Sequence, residues 1–198
     1  MKEFWNQRYS EAGYAYGKAP NSFLKEHLPG LPPDKALFPA EGEGRNAVFA
    51  ATLGWQVTAF DYSESGRKKA EALAWEREVR IDYHISEIEN FSFPEEAFSL
   101  VGLFFVHLPP VIRKFLHRQA IQSLKPGGTI LLEGFSKAQL GRASGGPKQE
   151  DMLFSIEELA NDFSPLNIHL LEETEATLSE GPYHSGPARL VRLRGIRE

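Results

Sequence analysis

Six consecutive residues, Gly42-Glu43-Gly44-Arg45-Asn46-Ala47, fit the pattern G-x-G-x-x-[GA], and Asp61 follows seventeen residues beyond Gly44. Glycine lets a backbone approach a ligand without a Cβ in the way. An acidic side chain at the end of the next strand can accept hydrogen bonds from both hydroxyls of an adenosine ribose. The two features together point to nucleotide binding, provided the loop joins a strand to a helix. The plain alternative is a tight turn that needs glycine beside a surface aspartate.

Charge then discriminates between nucleotides. Glu41 and Glu43 sit where a pyrophosphate would lie, and each like-charge contact at about 4 Å costs on the order of 1 to 4 kcal/mol at effective dielectrics of about 80 to 20. S-adenosylmethionine brings a sulfonium and an ammonium instead, which the same carboxylates attract. Its single carboxylate can use the loop amides or Arg45. The expected cofactor-binding set therefore contains Glu41, Gly42, Glu43, Gly44, Arg45, Asn46 and Asp61. Tyr62 is expected to stack on the adenine or ribose, with ordinary packing as its alternative.

Two histidines could move protons. His107 closes an apolar run at the carboxyl edge of a predicted sheet, where open α/β folds bind ligands, and an imidazole there suits a general base at neutral pH. The competing reading is a histidine satisfied by backbone ahead of Pro109-Pro110. His184, with Tyr183, lies in a loop near Glu180 and Gly186 and is the second candidate base, or else part of an exposed turn. Nearer the start, Trp5, Arg8, Tyr9, Tyr14, Tyr16 and Gly17 form an aromatic-rich cluster. It is expected to close over cofactor and substrate, with Tyr14, Tyr16 and Tyr183 as lid residues suited to a methyl-sulfonium. No histidine pair has metal-ligand spacing, and the 198 residues contain no cysteine, so no metal site is expected.

These residues must be positioned by strands and helices in alternation. Ala36–Ala40 is a short apolar run entering the glycine loop, and residues 46–54 carry the spacing of a helix packed on a sheet. Residues 56–60 form a second strand ending at Asp61, Ser63 caps a helix to about Trp75, and residues 80–85 form a third strand. Residues 99–106 read as a strand buried on both faces, 110–123 as an amphipathic helix, and 129–133 as a fifth strand. After a glycine-rich stretch and a helix over 155–161, strands at 167–174 and 188–194 suggest a terminal antiparallel hairpin on the sheet edge. The pattern predicts an α/β domain with a largely parallel sheet. A Pro-rich joint at residues 29–33 separates an N-terminal arm, 1–33, from a core, 34–198, within one domain.

The bulk properties fit that reading. A chain of 198 residues with 41% hydrophobic content supports one ordinary domain. A net charge of −5, with basic residues scattered among acidic ones, gives no footprint for nucleic acid. The start lacks the apolar core of a signal peptide and no run approaches membrane-spanning length, so a cytoplasmic protein with a small-molecule substrate and no membrane partner is expected.

Several segments in order resemble the class I S-adenosylmethionine-dependent methyltransferases. Ala36–Asn46 is similar to motif I, Phe60-Asp61-Tyr62-Ser63 to the ribose-binding turn, and Leu124-Lys125-Pro126-Gly127-Gly128 to the turn into the fifth strand. Ser86-Glu87-Ile88 occupies the place of the acid loop. More closely, Glu-Gly-Glu-Gly-Arg-Asn, Val106–Pro110, Gly145-Gly146-Pro147 and Glu180–Gly186 resemble a bacterial subgroup related to tellurite-resistance and thiopurine methyltransferases. The resemblance implies a Rossmann-like fold with a seven-stranded, mainly parallel sheet, its last strand antiparallel, and helices on both faces. It also implies that Ser86, Glu87 and Ile88 meet the adenine, and Phe105 joins the cofactor-binding set. Two positions depart from the family: Phe38 stands where an Asp or Glu is common, and Ala40 replaces the first glycine. The anchor for the methionine ammonium is therefore assigned to Glu41 or Glu43.

The expected reaction is methyl transfer to a small molecule with a thiol, a chalcogen oxyanion or an amine. A non-catalytic S-adenosylmethionine-binding protein and a nicotinamide-dependent oxidoreductase are the alternatives.

Overall fold

A computed structural model describes residues 2–198, which divide into two compact units, one of residues 2–91 with 180–183 and one of 92–179 with 184–198. The first unit opens with α1 (Lys2–Ser10) and α2 (Ser22–His27), then alternates β1 (Lys35–Pro39), α3 (Arg45–Thr52), β2 (Gln56–Asp61), α4 (Glu64–Glu76) and β3 (Asp82–Ile85). Its three strands pair in parallel, β1 with β2 and β2 with β3. The inward face of α3 is built from Ala47, Val48 and Ala50, small enough to seat the helix close to β1 and β2. Ser63 caps α4 as expected, its Oγ accepting from the Gly66 amide at 3.1 Å. The apolar face of α4, Ala70, Leu73 and Ala74, is buried; a side chain such as Leu73 contributes about 1.5–3 kcal/mol when fully buried.

The second unit contains β4 (Phe98–Phe104), α5 (Pro110–Ser123), β5 (Leu124–Phe135), α6 (Ile156–Asp162), β6 (Asn167–Ser179) and β7 (Ser185–Ile196). Pro110 occupies the first turn of α5, where its missing N–H costs nothing. Ser155 and Glu158 form a reciprocal capping box on α6. Strand β5 runs parallel to β4, β7 antiparallel to β5, and β6 antiparallel to β7. The seven strands form one mixed sheet in the order β3-β2-β1-β4-β5-β7-β6, with β7 the reversed strand. This is the Rossmann-like class expected from the sequence.

Two boundaries differ instructively. Strand β5 begins at Leu124 rather than Thr129, because the ladder passes through an irregularity at residues 124–129, opposite Phe98 and Leu100, instead of starting after it. Gly128 is required there, since a Cβ would stand 2.8 Å from the Lys125 carbonyl and 3.0 Å from that of Phe98. The hairpin ladder also reaches Ser179 opposite Ser185, past the apolar alternation that marked the expected ends. The arm, expected without internal detail, folds as two helices, with the Asn21 side chain accepting from Leu24 N to start α2. Among the described residues, no helix is long and apolar enough to cross a membrane.

Candidate functional site

The loop after β1 alternates through left-handed conformations at Ala40 (φ 50°), Gly42 (φ 60°) and Gly44 (φ 83°). Ala40 therefore adopts a conformation that glycine reaches without the steric cost borne by a residue with Cβ. Gly42 is held on three sides. Its N–H donates to Asp61 Oδ2 at 3.2 Å, its carbonyl accepts from the Tyr83 hydroxyl at 2.6 Å, and a Cβ would lie 2.6 Å from the Tyr9 hydroxyl. At Gly44 a Cβ would meet that of Ala70 at 2.5 Å. Both glycines thus serve close packing by α1 and α4.

The loop's charged residues divide by role. One Glu41 oxygen accepts from the amides of Asn46 and Ala47 at 2.8 and 2.7 Å, capping α3 from three residues ahead of the side-chain-less Gly44. Burial pushes the Glu41 carboxyl up to about 7. Glu43 has both oxygens engaged, one with the Ala15 amide and the other with Lys69 Nζ, each at 2.7 Å. Arg45 is buried and donates to Glu180 at 2.9 Å and to the carbonyls of Tyr16 and Ala19 at 3.4 Å. Asn46 accepts from the Asn21 amide at 2.8 Å. Glu43, Arg45 and Asn46, expected to face a ligand, are therefore turned to the arm.

Asp61 ends β2 with Oδ1 accepting from Ser63 N at 2.8 Å and Oδ2 from Gly42 N. Burial raises its carboxyl to about 6 against those hydrogen bonds, which favour ionisation. Ser86 is brought to the same edge, its N–H donating to the Asp61 carbonyl at 3.1 Å. Half-buried Tyr62 lies between charges: burial first, then the carboxylates of Asp61 and Glu87, raise its hydroxyl pKa. Glu87 is exposed and Ile88 buried, at the start of a short 3-10 turn over residues 88–90. Asp61, Tyr62, Ser86, Glu87 and Ile88 thus line the carboxyl ends of β2 and β3.

The arm covers this edge. Tyr9 stacks on Trp5 with centroids 5.4 Å apart, and Asn6 accepts from the Ser63 hydroxyl. Tyr16 and Tyr183 come together at 6.2 Å. Tyr14 does not join them: its hydroxyl donates to the Lys69 carbonyl at 3.0 Å, and its ring packs on Val48, Leu73 and Ala74. Tyr83 and the loop-supporting role of Tyr9 escaped the sequence reading. The only signal for Tyr83 was its place as the buried residue of a four-residue strand.

In the second unit, Phe105 follows β4 with φ 56°, a strained conformation for an aromatic residue, its N–H donating to the Glu133 carbonyl at 2.7 Å. Its ring sits 4.4 Å from that of His184 and 4.8 Å from that of Phe135. His184 is buried and also meets Phe135 edge to face at 5.1 Å. His107 has both ring nitrogens engaged: Nδ1 bonds to the Met152 carbonyl at 2.8 Å and Nε2 accepts from the Phe135 amide at 3.0 Å. Burial lowers its pKa to about 4. The ring is thereby a neutral imidazole with its Nε2 lone pair used by backbone, which matches the backbone-satisfied alternative and leaves no nitrogen to accept a substrate proton.

Residues 39–128 match the family model described as a methyltransferase domain. No curated protein matches the chain. Among solved structures, one reported with the conversion of a disulfide bond into a thioacetal group during echinomycin biosynthesis superposes with a TM-score of 0.76 at 18% identity, covering 100% of this chain and 92% of the other. TehB from Haemophilus influenzae gives 0.74 at 14%, covering 100% and 67%. The N-methyltransferase NodS from Bradyrhizobium japonicum WM9 gives 0.66 at 14%, covering 98% of each. These likenesses establish the fold, and the family model matched over residues 39–128 is that of a methyltransferase domain, which implies S-adenosylmethionine as the methyl donor. The donor set fits that molecule: Asp61 and Glu41 suit ribose hydroxyls and an ammonium, and the one loop cation is already paired with Glu180.

Proposed function

We propose that the chain transfers the methyl group of S-adenosylmethionine to a small-molecule thiol, chalcogen oxyanion or amine in a cytosolic setting, without a nucleic-acid or membrane partner. The observation that carries the reading is the carboxylate arrangement of the first unit. Asp61 is locked by two amides at the end of β2, and Glu41 keeps its second oxygen apart from the α3 amides. The closer affinity with the tellurite-resistance and thiopurine subgroup rests on the short motifs quoted above. Structural neighbours that concern thioacetal formation and N-methyl transfer accord with sulfur or nitrogen acceptors.

The donor, when bound, supplies an electrophilic methyl carbon on a sulfonium. The chain's residues hold and orient. Asp61 accepts from the ribose hydroxyls, Glu41 takes the ammonium, and Tyr62, Ser86, Glu87 and Ile88 border the adenine. Phe105 is kept in the cofactor-binding set, as the family resemblance implies. Fixing the nucleophile in line with carbon and sulfur can remove roughly 7 to 11 kcal/mol of barrier, so an ionised thiol or oxyanion needs no protein base. For an un-ionised nucleophile, His184 is the histidine carried forward as proton acceptor.

Calorimetric titration of wild type and Asp61→Ala with S-adenosylmethionine, S-adenosylhomocysteine and NAD tests the donor reading. Binding of the two adenosyl ligands, weakened in the variant and absent for NAD, is expected. NAD binding alone would overturn it. Saturable donor binding with no methyl transfer across thiol, selenite, tellurite and amine acceptors would favour a non-catalytic binder, to which the buried Phe38 in place of an acid gives some weight.

A further inference from the structure

The arm holds a guanidinium in an unusual frame. Arg8 stands over the ring of Tyr183 at 4.0 Å, of Phe4 at 4.4 Å and of Trp5 at 5.4 Å. It donates once, from Nη1 to the Tyr16 hydroxyl at 3.2 Å. A guanidinium carries five donors in a flat fork, and the bond to Tyr16 uses one of them. Among the described residues no carboxylate forms an ion pair with it. The nearby Glu11 instead accepts from the Tyr183 hydroxyl, at 3.1 and 3.2 Å. The other cations turned to this edge are neutralised, Lys69 by Glu43 and Arg45 by Glu180. Arg8 is therefore a half-buried cation with donors to spare, its orientation restricted by stacking.

We infer that Arg8, with Tyr16 beside it, is a binding site for a singly charged carboxylate, carried either by the methionine end of the donor or by the acceptor. The cluster adjoins the glycine loop within one unit: Trp5 stacks on Tyr9, Tyr9 covers Gly42, and the Tyr16 carbonyl accepts from Arg45. An edge-on carboxylate would use the fork bidentately, the geometry at which guanidinium exceeds ammonium. Aromatic stacking has already restricted the side chain, so little ordering cost remains for the ligand to offset. A phosphate dianion would exceed the single charge of Arg8 and meet Glu11, held nearby by the Tyr183 hydroxyl, whereas one negative charge is balanced by Arg8 itself. Tyr16 and Tyr183, expected to meet a sulfonium, thus hold a protein cation.

The inference rests on the donor reading above for one of its two sources, and the experiment separates them. Wild type, Arg8→Met and Arg8→Lys are titrated calorimetrically with S-adenosylmethionine and decarboxylated S-adenosylmethionine, which differ only in the carboxylate. They are also titrated with 2-mercaptobenzoate against thiophenol, with and without saturating S-adenosylhomocysteine. If the donor supplies the group, wild type prefers the carboxylated donor by about 10- to 100-fold, the scale of hydrogen bonds to a charged group. Arg8→Met brings that ratio near one without changing affinity for the decarboxylated form, and Arg8→Lys recovers part of it. If the acceptor supplies it, the same collapse appears in the mercaptobenzoate-to-thiophenol ratio and the donor ratio stays put. Folded variants that keep both wild-type ratios, or that lose carboxylated and decarboxylated ligands equally, overturn the assignment. Wild type that binds neither donor form overturns the donor reading; Arg8 then stands or falls on the mercaptobenzoate arm alone.

Discussion

Replacing His107 by alanine separates a structural histidine from a catalytic one. In the structure its ring satisfies two backbone groups at once, the Met152 carbonyl at 2.8 Å and the Phe135 amide at 3.0 Å. It also stacks on Phe154 with centroids 4.8 Å apart. Truncation strands both groups, at about 1–3 kcal/mol each; with lost packing the total is roughly 3–6 kcal/mol. Against a typical 5–15 kcal/mol for a domain, the variant should sit near the limit of folding. His107→Gln, whose amide can both donate and accept, should recover part of the loss. Burial holds the folded pKa at about 4, below the ordinary 6.5, so the unfolded chain takes the proton first. The stability this histidine contributes is present above pH 6.5 and lost as pH falls through 4, by at most about 3 kcal/mol. Urea unfolding by far-UV circular dichroism between about pH 4 and 7, for wild type and both variants, reads these quantities. A His107→Ala protein within about 0.5 kcal/mol of wild type would refute the reasoning. A stable His107→Gln whose methyl transfer fell a hundredfold or more would return His107 to the chemistry.

Glu41→Gln keeps the helix-capping oxygen but removes the charge, and should weaken S-adenosylmethionine roughly tenfold. Glu43→Gln should cost stability through Lys69 and change donor affinity less; the reverse order by calorimetry would exchange their roles. Because burial raises Glu41 to about 7 and Asp61 to about 6, their contribution to ligand-free stability is present below the ordinary carboxylate range and lost as pH rises through 6 to 7. Donor affinity should rise over the same window as both ionise, and Asp61→Asn should flatten that profile. Gly44→Ala places a Cβ 2.5 Å from that of Ala70 at φ 83° and should lower stability by about 1–3 kcal/mol, checked by scanning calorimetry. Glu180→Gln leaves buried Arg45 without its ion-pair partner and should cost about 3 kcal/mol in urea unfolding, with faster amide exchange across residues 14–17.

The sheet was legible because its signals are local. Apolar runs alternating with 3.6-period helices, the Ser63 cap and the Pro110 start each lie within a few residues, and the observed elements begin and end close to them. The irregularity in β5 was not, since a Pro-Gly-Gly turn reads as a strand boundary until its partner strand is known. The glycine loop and Asp61 were legible as a pair, and the 3.2 Å bond between Gly42 and Asp61 brings them together. What spacing could not supply was orientation. Glu41 and Glu43 are chemically identical and two residues apart, yet one caps a helix and the other binds the Ala15 amide and Lys69. Glu41 finds its partners within the motif, at Asn46 and Ala47, whereas those of Glu43 lie 28 and 26 residues away, where spacing cannot reach. His107 shows the same limit: its two backbone partners come from residues 135 and 152.

The loop is therefore held chiefly by the arm and by α4 rather than waiting for a ligand. Tyr9 and Tyr83 clamp Gly42, Arg45 gathers the Tyr16 and Ala19 carbonyls with Glu180, and Asn46 ties the start of α2. A loop with three left-handed residues in five would otherwise sample many conformations, and a donor binding it would meet the cost of ordering. By satisfying that cost within the fold, the arm leaves Glu41 and Asp61 oriented in advance. On the proposed reading, affinity for the donor is coupled to the arm through the loop's geometry, quite apart from any contact the arm makes with the ligand.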